Sequence, residues 1–106
     1  MNARMQERRQ LEHDLREAIA RGELELHYQP LVSSATNQVV GVEALVRWNH
    51  PGRGRVPPGD FIPLAEESGL IVPLGEWVLR RACADAAAWP PHIKVAVNLS
   101  PLQFKS

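Results

Sequence analysis

The chain has 106 residues, the length of one small domain, and its 12 basic and 12 acidic side chains give a formal net charge of zero. Without excess positive charge it has no general attraction for phosphate backbones, so we expect no DNA or RNA partner. The single cysteine, Cys83, excludes an internal disulfide and a cysteine-clustered metal site. Because the sequence shows neither a secretory signal nor the roughly 18 apolar residues of a membrane span, we expect a cytoplasmic protein with no membrane contact from this segment.

Apolar residues at spacings of three and four predict a helix over residues 6–21, which ends at Gly22. The apolar stripe of this helix consists of Leu11, Leu15, Ala18 and Ile19. Two interpretations of the helix stay open: it links this domain to another domain, or it covers the core of its own domain.

Alternation with period two predicts β-strands over residues 23–32 and 39–48. Only about six residues connect these strands, whereas a parallel crossover needs a dozen or more. We therefore expect an antiparallel hairpin. If the turn is centred near Thr36, Gln29 lies directly opposite Glu43, and two polar side chains from different strands converge.

Residues 49–59 hold three prolines and three glycines and predict a loop. Asp60 is a suitable N-cap for a short helix over residues 61–68, and Gly69 is expected to end that helix.

The longest predicted helix covers residues 71–89, and a third strand is predicted over residues 93–100. Because the connection from the second strand contains helices, the third strand should run parallel to the second. Residues 100–103 carry the capping-box signature of a further helix. Three strands and two covering helices leave a sheet edge open, so we expect the first portion of a larger α/β protein.

The second strand carries two charged residues, Glu43 and Arg47, on one face. They are about 13 Å apart at about 3.3 Å per residue, too far for a direct salt bridge. Either this face is exposed and the charges keep it soluble, or they bind a ligand. Asn98, near the end of the third strand, adds an amide oxygen, and carboxylate and amide oxygens suit Mg²⁺, Mn²⁺ or Ca²⁺. An asparagine before Ser-Pro is also a common helix cap, so both interpretations stay open.

Five sequence blocks occur in order and together closely resemble the EAL domain, a family named for its Glu-Ala-Leu that hydrolyses the bacterial second messenger cyclic di-GMP. The blocks are YQPL at 28–31, GVEALVRW at 41–48, PPGDFIPLAEESG at 57–69, LGEWVL at 74–79 and VNLSP at 97–101. The Glu-Ala-Leu tripeptide alone would not identify the family, whereas five blocks in this order are specific for it.

The resemblance implies an α/β fold, the N-terminal part of a (β/α)8 TIM-like barrel whose first strand runs antiparallel. Such barrels typically need about 250 residues, so three of the eight strands would be present here. Under this interpretation, residues 1–22 form a linker helix and residues 23–106 are the N-terminal fragment of the EAL domain.

The resemblance also implies the roles of individual residues. Glu43 would be a catalytic ligand of a divalent cation, Mg²⁺ or Mn²⁺ with two ions per intact site, and Asn98 a second metal ligand. Gln29, Leu45 and Arg47 would contact cyclic di-GMP. Metal-assisted attack of water on phosphorus would give linear pGpG.

The family's later acidic ligands and its catalytic lysine would lie beyond Ser106, so we expect the isolated chain to be inactive. Two other hypotheses stay open: a non-catalytic receptor of cyclic di-GMP, and a signalling interaction module without a ligand. The expected partners are cyclic di-GMP, a second copy in a homodimer and an N-terminal GGDEF or sensor domain. The resemblance also allows a parent protein that is anchored to the membrane through other domains.

Overall fold

The computed structural model describes residues 3–97 and residue 99 of the chain. Its elements, in order, are α1 (Ala3–Arg21), β1 (Leu24–Val32), β2 (Val39–His50), β3 (Gly54–Val56), α2 (Pro58–Ser68), α3 (Ile71–Ala86) and β4 (Lys94–Val97). Within this described part, no helix is both long enough and apolar enough to cross a membrane.

The central strand of the sheet is β2. On one edge it pairs antiparallel with β1, and Gln29 lies opposite Glu43, as the length of the turn predicts. On the other edge it pairs antiparallel with β3 near its end and parallel with β4 near its start. Both the hairpin and the parallel third strand of the sequence prediction are thereby confirmed.

The predicted loop over residues 49–59 is wrong in part, because β2 continues to His50 and β3 pairs back onto it. Gly54, with a φ of 77°, adopts the left-handed conformation at the start of β3. Asp60 is not an N-cap: α2 begins earlier, with Pro57 at the cap position and no side-chain cap, and Asp60 lies in its first turn. A proline at the first helical position has a preset φ, and an acidic first-turn side chain favours the helix dipole.

The structure also corrects the end of the longest helix. α3 ends at Ala86 and not at Trp89. After Ala86 the backbone N–H groups of Ala88 and Trp89 bond three residues back, to Asp85 and Ala86, so the chain leaves the α-helix in a tighter turn. Trp89 itself precedes Pro90, a position that disfavours the helical conformation. Gly69, with a φ of 82°, ends α2 as predicted. β4 covers only Lys94–Val97 and is shorter than the predicted strand over 93–100, since Ile93 precedes it and Leu99 lies in a bend. The helix signature at 100–103 lies outside the described residues.

The core lies between the helices and one face of the sheet. Its largest fully buried side chains are Trp48, Phe61, Leu15, Leu74 and Val78. The Trp48 ring meets the Phe61 ring edge-on at 5.6 Å, and its indole N–H donates to Glu23 at 3.2 Å. Because Leu15 is fully buried in this core, α1 covers its own domain, which is one of the two interpretations left open above. The assignment of residues 1–22 as a linker to another domain stays a prediction.

A polar contact also fixes α1 to the end of β2. His50 Nε2 lies 2.6 Å from Asp14 Oδ2, while its Nδ1 accepts backbone N–H groups from Gly52 and Arg53 at 2.9 and 3.0 Å. Since Nδ1 accepts, Nε2 carries the proton and donates to the carboxylate. This hydrogen bond is the main cause that lowers the pKa of Asp14.

Candidate functional site

The predicted site residues of β2 lie on the face of the sheet that the helices leave open. Glu43, Leu45 and Arg47 are half-buried there, because side chains alternate along a strand and the residues between them face the core. Those residues, Ala44, Val46 and Trp48, are at most 3% exposed. Gln29 of β1, an exposed residue, stands on the same open face opposite Glu43. The structure therefore brings four of the predicted site residues onto one surface.

On this surface Glu43 lies between β1 and β4. Its neighbour on β1 is Gln29 and its neighbour on β4 is Ala96. Within residues 3–97 and 99, the Glu43 carboxylate accepts no hydrogen bond and forms no ion pair. Since an alanine flanks it on β4, no long side chain from that position covers it. The carboxylate is therefore available to a cation or to a hydrogen-bond donor.

Arg47 lies four residues further along the same face, beyond Leu45. Its Nη1 donates to the backbone carbonyl of Val46 at 3.2 Å. A guanidinium has five N–H donors, and the described residues provide no further acceptor for them. As far as residues 3–97 and 99 show, the face thus combines a carboxylate without a partner, an apolar side chain and an arginine with free donors.

A network around Glu25 was missed by the sequence reasoning. Glu25 Oε1 accepts hydrogen bonds from Asn49 Nδ2 at 2.8 Å and Arg55 Nη2 at 3.4 Å, and it lies 3.3 Å from His27 Nε2. The hydrogen bond from Asn49, followed by that from His27, lowers the pKa of the exposed Glu25 carboxyl. The loop predicted over residues 49–59 includes both Asn49 and Arg55, so the sequence does not indicate this network. Alternation continued past Trp48 would have placed Asn49 on this face.

The second predicted metal ligand, Asn98, lies outside the described residues, so its role stays a prediction. The described residues contain no group of three or more His, Cys, Asp or Glu side chains that could hold a metal ion. Glu43 offers the hard oxygen that Mg²⁺ and Mn²⁺ prefer, but one carboxylate is not a metal centre. The chemistry of this face fits a divalent cation only if further ligands come from outside the described residues.

Comparison with known proteins identifies the family. The family model of the EAL domain matches residues 12–106 of this chain. The chain belongs to the EAL domain family. It corresponds to the N-terminal part of that domain, and its sheet, with the antiparallel first strand, is part of a TIM barrel.

The relatives are much longer than this chain. An uncharacterized signaling protein of Caulobacter vibrioides is 62% identical over 98% of this chain, which spans 13% of that protein. The bifunctional diguanylate cyclase/cyclic di-GMP phosphodiesterase MucR of Pseudomonas aeruginosa is 53% identical over 98% of the chain, which spans 16% of MucR. The solved structure of the MucR phosphodiesterase in complex with c-di-GMP matches with a TM-score of 0.80 and 52% identity, over 90% of this chain and 40% of that one.

Proposed function

We propose that the EAL domain to which this chain belongs hydrolyses cyclic di-GMP to linear pGpG, and that this chain supplies part of its substrate and metal site. The observation that carries the proposal is the shared open face, where Gln29 is opposite Glu43 and Arg47 follows on the same strand. Two relatives named as cyclic di-GMP phosphodiesterases support the proposal. They are MucR of Pseudomonas aeruginosa, at 53% identity, and PdeR of Escherichia coli, at 46% identity.

Three residues would bind the dinucleotide. Arg47 would donate to a phosphate oxygen, because its planar fork of N–H groups fits such oxygens and gains from the opposite charge. Leu45, beside it, would give the substrate an apolar contact. Gln29 carries both a donor and an acceptor and would hydrogen-bond to the substrate next to Glu43.

Glu43 would hold the divalent cation, Mg²⁺ or Mn²⁺, together with Asn98 and ligands from outside the described residues. When bound, such ions lower the pKa of a coordinated water and stabilise negative charge on phosphate oxygens. The contribution of this chain is a half-buried carboxylate that no cationic side chain of the described residues neutralises. No described side chain therefore competes with a metal ion for this carboxylate.

The proposal extends to the setting of the domain. A GGDEF or sensor domain would precede α1, and the name of MucR, which combines a diguanylate cyclase with a phosphodiesterase, supports the GGDEF domain. A homodimer and a cytoplasmic location are further parts of the proposal. Size-exclusion chromatography with light scattering on the full-length protein tests the homodimer.

Substitution of Glu43 tests the metal role. In the full-length protein, Glu43→Gln should lower the turnover of cyclic di-GMP by at least about a hundredfold, because a neutral amide is a poor ligand for a hard dication. Chromatographic measurement of pGpG formation, with Mg²⁺ or Mn²⁺ and with chelator, provides the readout. Glu7→Gln, an exposed carboxylate on α1, is the matched control and should leave turnover unchanged. Full activity of Glu43→Gln would remove this residue from the metal site.

Substitution of Arg47 tests substrate binding separately. Arg47→Ala should raise the Kd for cyclic di-GMP by about tenfold or more, since a charge-assisted hydrogen bond is lost, while the metal requirement stays the same. Isothermal titration calorimetry measures the affinity. An unchanged Kd would contradict the assigned contact. Tight binding by the unsubstituted protein without any turnover would favour the receptor hypothesis.

A further inference from the structure

Glu25 and Arg47 are direct partners across the β1–β2 pair and lie on the same open face. Opposite charges in such positions usually attract one another. Among the described residues, however, no ion pair joins them. Arg47 Nη1 instead donates to the carbonyl of Val46 at 3.2 Å.

The hydrogen bonds of Glu25 explain this separation. Oε1 accepts from Asn49 Nδ2 at 2.8 Å and from Arg55 Nη2 at 3.4 Å, and His27 Nε2 lies 3.3 Å away. Asn49 is two residues beyond Arg47 on β2, and Arg55 is its partner on β3. The donors of these two residues hold the carboxylate toward the end of the sheet, and the Arg55 guanidinium balances its charge.

We propose that Asn49 and Arg55 are positioning residues that hold Glu25 away from Arg47, so that the Arg47 guanidinium stays available for a phosphate of the substrate. This inference rests on the proposed function. A carboxylate paired with Arg47 would occupy the same N–H donors that a phosphate oxygen needs, and the substrate would have to displace it. The short strand β3 thereby acquires a role in binding, because it places Arg55 beside Asn49.

The size of the effect follows from exposure. The side chain of Glu25 is 45% exposed, and an ion pair formed by an exposed carboxylate is weak and sensitive to salt. We therefore expect release of Glu25 to weaken cyclic di-GMP binding by about two- to fivefold. The loss should shrink in high salt.

The test is a double-variant cycle in the full-length protein with Asn49→Ala, Glu25→Gln and both together. Asn49→Ala should raise the Kd and KM for cyclic di-GMP by about two- to fivefold, because the released Glu25 occupies donors of Arg47. The kcat should stay unchanged, since the reacting groups are not altered. Glu25→Gln alone should change the Kd and the KM by less than about twofold. The double variant should recover the original Kd, because an uncharged glutamine does not compete for Arg47. A double variant as weak as Asn49→Ala would overturn the proposal.

A measurement without substrate separates this proposal from the proposed function. The Nε–H resonance of Arg47 in NMR spectra of the ligand-free protein should shift in Asn49→Ala and return in the double variant. Such a result, combined with no binding of cyclic di-GMP by any variant, would support the positioning and reject the proposed function. An Arg47 resonance that is the same in all proteins would overturn the positioning even if the proposed function holds.

Discussion

At Gly41 the sheet has no space for a side chain. A Cβ atom built on this residue would lie 2.7 Å from the backbone oxygen of Lys94, its partner on β4. The contact is with backbone, which cannot rotate away as a flexible side chain can. Gly41 therefore permits the close approach of β2 and β4 that places Ala96 beside Glu43.

Gly41→Ala should lower the free energy of unfolding by about 1–3 kcal/mol, the usual effect of forcing an extra carbon into a packed site. Urea denaturation of the full-length protein, followed by tryptophan fluorescence, measures the change. Gly59→Ala is the matched control, since a Cβ there meets nothing within 4 Å. The control lies in α2 and should leave stability unchanged or raise it by up to about 1 kcal/mol. Equal losses in the two variants would contradict the packing argument.

Individual site residues differ in how far the sequence determines them. The pairing of Gln29 with Glu43 follows from alternation and turn length, two local rules, and the structure confirms it. The bonds of Glu25 to Asn49 and Arg55 depend on β3 and on side-chain rotamers in three strands. No local pattern specifies those rotamers, so this network becomes visible only in the structure.

Among the elements, α1 is attached to the sheet by both apolar and polar contacts. Leu15 enters the core, and Asp14 accepts the hydrogen bond of His50 next to the turn that leads into β3. The apolar stripe of α1 was readable from its spacing. The contact between Asp14 and His50 does not follow from the sequence, because the pattern of residues 49–59 predicts a loop for His50. The period of a helix also does not say what the helix covers.

Asp14→Ala should destabilise the fold by about 1–3 kcal/mol at pH 7, because it leaves the His50 donor without its charged acceptor. The pKa of Asp14 is lower in the folded state than its ordinary value of 3.8. The stabilisation is therefore present above that value and is lost as the pH falls through the folded pKa. The difference in free energy of unfolding between the original protein and Asp14→Ala should shrink below about pH 4.

Denaturant titrations of the full-length protein at several pH values between 3 and 7 measure this difference. Glu7→Ala, which removes an exposed carboxylate from the same helix, serves as the control and should alter stability by less than about 0.5 kcal/mol. A difference for Asp14→Ala that stays constant down to pH 3 would show that ionisation of Asp14 does not contribute.

The molecule as a whole is elongated, with extents of 56 × 28 × 23 Å. Its radius of gyration is 15.7 Å, whereas a compact domain of this length has about 13 Å. Within the described part, neither β1 nor β4 has a partner strand on its outer edge. Several large apolar residues near the hairpin turn are exposed, namely Leu31, Val32, Val39 and Val40.

The isolated 106-residue chain should therefore self-associate or lack fixed tertiary packing, because open edges and exposed apolar groups favour pairing between chains. Sedimentation velocity and thermal melts test this expectation. Val32→Lys, a charge near the edge, should reduce the association. A monomer that unfolds cooperatively would contradict the prediction.

The antiparallel direction of β1 has a consequence for how signals could reach the site. Leu24, the first residue of β1, pairs with Trp48 near the carboxyl end of β2, so the polypeptide enters the sheet beside Arg47 and Asn49. A shift at the last turn of α1 is then only a few residues of chain away from Arg47, the proposed phosphate ligand, and need not cross the sheet. Because β1 runs antiparallel to β2, the point where the chain enters the sheet and the proposed phosphate ligand Arg47 lie at the same end of the sheet.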